Sequence, residues 1–378
     1  MFKVVYGLFF LGIIFSSCEN KENQTYSNGS INHPTQRNMI PNDSINHKLT
    51  FEDEALIDTS NLNKISTIGV LEGSRQYMLG NITATKVNSN SEIMILDAQY
   101  GIVRVYDVHS GKYKTQFGRA GSGPGEFSQP NDLFIEKGKV YISDRVNKLQ
   151  AFDAENEFKH KKELAVEFAP NSICGIDNDV FISGVDYEKF LTVHKMNMLN
   201  NKKIKSFHEA YKSDRSLARI LLSNNIISCN SQTKTLAVVS PNLPYIYGYD
   251  MEGNIKWVSE LSDYNPIQTI EKTGDSGKPS ITKRINPNDI TDSYNKLLEI
   301  EGTEYFLLQI NRSERNNNEV LYSNNMTFLI NAFTGEGKFL TLDFPTVEAV
   351  SKNILVTKGQ KGYPLINIYK GFYEQFQK

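Results

Sequence analysis

The chain has no strong charge of either sign. Its 41 Lys and Arg stand against 43 Asp and Glu, a net charge of −2, with a pI near 6.3. That leaves no global basic field of the kind nucleic-acid binders rely on, and no nucleic-acid partner is expected. Three cysteines in 378 residues are too few for a disulfide scaffold. The N-terminal apolar run, Val4 to Phe15, has 12 residues, short of the roughly 20 that span a bilayer. Catalytic signatures are missing too. The six histidines (His33, His47, His109, His160, His194, His208) form neither H-x-H nor H-E-x-x-H, and Lys212 stands where His208-Glu209 would need a second histidine. There is no G-x-S-x-G elbow. Gly118 to Gly125 lacks the Gly-Lys-Ser/Thr ending of a phosphate loop and leads into a strand, so it offers no helix N-terminus to an anion. No metal and no cofactor is expected from these patterns, although linear spacing cannot reveal a site assembled from distant segments.

The front end is set apart from the rest. Lys3, the apolar run and Ser16-Ser17-Cys18 fit a secretory leader. The cysteine after two small residues resembles a bacterial lipobox, with Phe15 and Ser17 at the positions where Leu and Gly or Ala are preferred. The resemblance implies a leader over 1–17 and a lipidated Cys18; an ordinary leader cut nearby is the alternative. Residues 18–62 are rich in Asn, Ser, Lys and Glu and poor in aromatics, which predicts a flexible tether. The folded domain is expected over 63–378.

Phe117 to Pro130 reads FGRAGSGPGEFSQP. Four glycines in fourteen residues exclude a helix, since each interior Gly costs about 1 kcal/mol relative to Ala, and they weaken a long strand. The segment is expected to fold back on itself, pinned by Phe117 and Phe127. Around it lies a repeat. Ile93 to Asp107 (IMILDAQYGIVRVYD) matches Val140 to Asp153 (VYISDRVNKLQAFD), with Asp97 and Asp144 ending one strand and Asp107 and Asp153 the next. A period near four dozen residues with several short strands per unit predicts a β-propeller, whose units expose faces that only neighbours cover. Asp97 and Asp144 are read as turn-formers that bond backbone N–H groups.

Further units keep the rhythm: Val180–Ser183, Leu191–Met196 and Lys202–Phe207; then Thr235–Ser240, Tyr245–Asp250 and Asn254–Leu261; then Thr303–Ile310, Met326–Phe333 and Gly337–Leu342. A sixth unit, Val347–Thr357 with Leu365–Tyr369, is short of a strand that Lys64–Leu71 could supply, closing the ring. The expected fold is all-β, a six-bladed propeller of four-stranded antiparallel blades closed by an N-terminal strand. His208 to Leu222 reads as a short helix with Ala210, Leu217, Ile220 and Leu221 on one face, and Ser262 to Ile300 as a long polar insertion. Trp257 reads as core. Cys174 and Cys229, 55 residues apart in adjacent units, read as buried free thiols.

The Gly-rich linker followed by NDLFIEKGKVYISDRVNKLQAFD resembles the NHL-type repeat of six-bladed propellers. That pattern carries Asn and then Arg near the second strand; Asn147 is present and Lys148 replaces the Arg. With the lipobox, the chain is similar to TolB-like propeller lipoproteins of Gram-negative bacteria. The resemblance implies an envelope location, outer membrane with a periplasmic or surface-facing domain, held by the lipid. Propeller geometry puts ligands at the central channel and its rim. Tyr100, Arg119, Asn131, Asp132 and Arg145 are the candidate ligand-face residues, with inter-blade salt bridges the plainer reading of the two arginines. The expected role is a monomeric binding module for an envelope protein, a peptide or a glycan. The alternative is a hydrolase or lyase with a channel-centred site, metal-dependent or not.

Overall fold

A computed structural model describes residues 31–33, 42–51, 62–198, 202–213, 215–241, 243–273, 279–284, 290–316, 319–359 and 362–376. The leader at 1–17 and Cys18 lie outside them. Six four-stranded antiparallel blades stand around a central axis. Blade 1 runs Ile82–Val87, Glu92–Asp97, Ile102–Asp107 and Tyr113–Phe117. Blade 2 runs Pro130–Glu136, Lys139–Asp144, Lys148–Asp153 and Lys159–Ala165. Blade 3 is Ser172–Ile176, Asp179–Ser183, Leu191–Asn197 and Lys202–Glu209. Blade 4 is Ile226–Asn230, Thr235–Val239, Tyr245–Tyr249 and Ile255–Leu261, with His47–Leu49 added in parallel at its outer edge. Blade 5 is Ile290–Glu299, Tyr305–Asn316, Glu319–Asn331 and Gly337–Thr341. Blade 6 combines Val347–Val350, Leu355–Lys358 and Ile366–Lys370 with the N-terminal strand Asn63–Ile68, which pairs antiparallel with Ile366–Lys370, Ser66 opposite Ile368. The ring is therefore closed as the sequence predicts.

Three sequence expectations need correction. The innermost strand of blade 5, Ile290–Glu299, falls inside the expected polar insertion; Tyr294, Leu297 and Leu298 are buried from it, but its channel-side residues are polar and mask the alternation. Part of the expected tether is built into the fold: Leu49 is buried against the core shared by blades 4 and 5, and the Asn46 side chain accepts the Val258 N–H. The helix is shorter than expected, Ser216–Leu221, and packs through Ala218 and Leu222 while Leu221 is exposed.

Antiparallel blades sort the connections onto two faces. Turns between first and second strands, such as 137–138 and 177–178, and between third and fourth strands open on one side, the turn face, and are short. Blade-to-blade connections open on the other, the linker face, and several are long: 69–81, 118–129, 210–225 and the stretch between Leu261 and Ile290. Two of these insertions support each other. Gln268–Thr273 and Pro279–Arg284 form a small sheet with Ile31–His33, Ile281 packs on Tyr211, Ala218 and Leu222, and Arg215 donates to Glu271 over 2.6 Å. Trp257 is core as expected, its indole N–H donating to the Ala332 carbonyl over 3.0 Å.

The candidate channel site

The Gly-rich linker joins blade 1 to blade 2 and is held shut by its own side chains. Gly118 has φ +77°, and the Phe127 ring lies where a Cβ would stand, so only glycine fits. Phe117 stacks on Phe158 at 4.5 Å between ring centres, and Phe127 is buried. Buried Gln150 clamps the linker from blade 2: its carbonyl accepts from Gly125 N–H and its amide donates to the Glu126 carbonyl, each over 2.7 Å. Lys148 donates to the Ser122 carbonyl. Asp97 and Asp144 act as paired repeats. Asp144 accepts from Ser128 and Gln129 N–H over 2.8 Å, and Asp97 from Gly80 and Asn81 N–H, so each fastens the segment that leads into its blade. Asp97 also holds buried Arg104 over 2.5 Å.

The five candidate ligand-face residues separate. Arg119 is exposed and committed to Glu126 within the linker, Nε to Oε1 over 2.7 Å. Arg145 is exposed and reaches Asn171 over 3.4 Å. Tyr100 lies under the Arg104 guanidinium, 4.9 Å from the ring centre. None of these three borders the channel cavities. Asn131 and Asp132 do, in the half of the channel that opens on the linker face.

That half has a volume of about 240 Å³ and is walled by the innermost strands of all six blades. Its polar groups are largely used to join blades. Asn131 donates to the Asn171 carbonyl over 2.6 Å. Asp132 accepts from Ile173 N–H over 2.8 Å and from the Ser172 hydroxyl over 3.0 Å. Burial pushes the Asp132 carboxyl above the usual range, against the pull of Lys86 and these donors. Lys296 pairs with buried Glu348 over 2.8 Å, joining blades 5 and 6. The half that opens on the turn face is wider, about 470 Å³. Here Glu299 accepts from the Ser231 N–H and hydroxyl over 2.8 and 2.7 Å, and Glu136 accepts from the N–H groups of Asp177 and Asn178. Burial raises the pKa of Glu136, Glu299 and Glu301, and Glu299 adds repulsion at Glu301.

Lys86, Cys174, Ser228 and Leu298 border both halves and so form the waist. Cys174 and Cys229 are disulfide-bonded there, Cα to Cα 5.6 Å, tying blade 3 to blade 4. This corrects the expected free thiols: both residues lie on innermost strands of neighbouring blades, where the ring brings them face to face. Among the described residues the Lys86 ammonium, the Glu301 carboxylate and the Ser228 hydroxyl make no hydrogen bond or ion pair, although the charge of Lys86 acts on Asp132, Glu299 and Glu301. Sequence reasoning missed all three; a Lys, a Ser and a Glu in three different repeats carry no linear signal.

One further cluster has the look of a nucleophile beside a base. His208 Nε2 lies 3.3 Å from Ser240 Oγ, and Nδ1 lies 2.7 Å from the Tyr249 hydroxyl. The proton order is set by the rest of the chain. Asn225 donates to Thr192 over 2.7 Å, so its carbonyl oxygen accepts from Ser240 over 2.7 Å; Thr192 then donates to the His208 carbonyl over 3.0 Å. Ser240 donates to Asn225 and therefore accepts a hydrogen bond from His208 Nε2–H, so it is not held as a nucleophile against a base. The loop holds His208 at φ +61°, a structural role. Among the described residues, no group of three or more His, Cys, Asp or Glu is gathered to hold a metal.

A family profile described as a 6-bladed beta-propeller matches residues 45–332, in agreement with the blades seen there. The chain belongs to this family, DUF5128. The matched span begins near the strap that carries Leu49 and ends before blade 6. Among solved structures, this DUF5128 propeller is similar to BF0058 of Bacteroides fragilis NCTC 9343, a protein provisionally described as exported: 14% identity, 85% of this chain and 98% of that one, TM-score 0.56. It is also similar to a DUF4221 family member from Bacteroides vulgatus ATCC 8482: 10% identity, 82% and 97% covered, TM-score 0.55. At these identities the likeness shows the fold. No curated protein matches the chain.

Proposed function

We propose that this DUF5128 propeller is an exported, lipid-anchored binding module of the bacterial envelope, monomeric, whose protein, peptide or glycan partner engages the central channel. Export is supported by the leader pattern over 1–17, by the disulfide, which suits an oxidising compartment, and by the exported description of BF0058. Anchoring is supported by Cys18 after two small residues. The NHL and TolB-like resemblance of the linker and its repeat fits the same role.

The observation that carries the binding reading is a set of unspent polar groups at the waist and the mouth. Most channel polar groups are spent on joining blades, yet an ammonium (Lys86), a carboxylate (Glu301) and a hydroxyl of a buried residue (Ser228) make no hydrogen bond or ion pair among the described residues, in a cavity large enough for a ligand. Unspent polar groups in a concave site are what a partner can use. The test is retention of envelope components on the immobilised chain, compared with the double variant Lys86→Met, Glu301→Gln. A component held by the wild type and released by the variant supports the reading. Equal retention by both, or no retention together with turnover of a small substrate, overturns it.

A further inference from the structure

The turn face carries a second cavity beside the channel mouth. It measures about 600 Å³ and runs over the junction of blades 6 and 1, past Asn88, Ser89, His109, Asn353, Lys370 and Glu374. Val87, Asn88, Ser89 and Glu301 border both this groove and the channel. The two are therefore one depression, with Glu301 at the step between them. The charges differ along it. At the mouth Glu136, Asp177, Glu299 and Glu301 stand against Lys86, Lys137 and Lys234, an excess of one negative charge, and Asp177 holds both Lys137 and Lys234, over 3.5 and 2.5 Å. In the groove, Lys352 and Lys370 stand against Glu374. The mouth thus favours a cation, and the groove beyond it does not.

The Ser228 hydroxyl adds an independent pointer. Ser228 is 6% exposed, borders the mouth cavity and has no partner, so its oxygen is available to a donor that enters. Resting on the channel as binding site, we infer that the mouth receives the free amino terminus of a peptide, its ammonium between Glu299 and Glu301 and its next residues in the groove. An ammonium has three donors, enough to meet two carboxylates at once. It also relieves the repulsion that Glu299 exerts on Glu301. The main chain that follows meets side chains of Ser89 and Asn353, and acidic residues at positions three and four would meet Lys352 and Lys370.

The test uses the peptide Ala-Ala-Asp-Asp-Ala amide with a free amino terminus, and its N-acetylated twin, titrated into the full chain by calorimetry at low salt. The free peptide is expected to bind at least tenfold more tightly than the twin. Glu301→Gln should remove most of that preference, and Lys86→Met should strengthen binding of the free peptide by removing a competing cation. Those opposite signs separate the site from a diffuse acidic surface. Equal binding of the two peptides, no binding of either, or variants that change neither overturns the inference. If these peptides fail while an envelope component is still released by the double variant, the amine is wrong and the channel reading stands.

Discussion

Two buried histidines should give this propeller a measurable acid sensitivity. His194 is fully buried and stacks on Phe168 at 4.0 Å between ring centres. Its Nε2 lies 2.9 Å from the Gly184 carbonyl, which can only accept, so Nε2 carries the proton and Nδ1 accepts from Ser206 over 2.8 Å. Burial pushes its pKa down to about 4, helped by Lys203 and opposed by the Gly184 carbonyl, Asp186 and Glu167. The unfolded chain titrates near 6.5 and so binds the proton first. Stability is then complete above pH 6.5 and lost as pH falls from 6.5 towards 4. The whole shift corresponds to about 3 kcal/mol, of which about 2 kcal/mol falls between pH 7 and pH 5. His208 is likewise pushed down to about 4 by burial and adds a contribution of the same sign. Asp132, Glu136, Glu299 and Glu301 have raised pKa values and titrate with the opposite sign, so the raw curve mixes the two. The difference between wild type and His194→Gln isolates the histidine. Urea unfolding followed by the fluorescence of Trp257, the single tryptophan, reads it at each pH. The wild-type advantage at pH 7 should shrink by about 2 kcal/mol at pH 5. A difference that stays constant across this range would refute the assignment of a neutral, buried His194.

Two further outcomes follow from the same reasoning. Asp97→Asn leaves the Arg104 guanidinium buried without its counter-charge, and should cost about 3–5 kcal/mol in urea unfolding; a loss under 1 kcal/mol would show that the pair is not buried as described. Replacing both Cys174 and Cys229 by Ala removes a cross-link between residues 55 apart, worth about 4 kcal/mol on the loop-entropy argument. The wild type with dithiothreitol should approach the double variant, and a midpoint indifferent to both changes would mean that the bond does not form.

Much of this architecture is legible in the chain, for reasons that specific residues make clear. The repeat around Asp97 and Asp144 is strong because both carboxylates do one job, fastening the backbone that enters each blade. The glycines of the linker announce a tight fold because Phe127 occupies the space a Cβ would need at Gly118. The innermost strands of blades 3, 4 and 5 escape a reading by alternation. Their channel sides carry Ser172, Ser228, Asn295 and Lys296, polar residues that look like loop until the ring places them on an axis. The strap at His47–Leu49 is hidden for another reason: it buries a single leucine, and pairs in parallel with a strand more than 200 residues away. The unspent groups of the waist and mouth are not legible at all. Lys86, Ser228 and Glu301 gain their meaning from lacking partners, which a sequence does not record.

The most direct test of the channel as the binding site is crosslinking in the living envelope. A photoreactive residue at Ser89, which borders both the mouth and the groove, is compared with one at Ile255, exposed in the outermost antiparallel strand of blade 4. The account predicts a discrete adduct from Ser89 and none from Ile255. An adduct from Ile255 with none from Ser89 would contradict it.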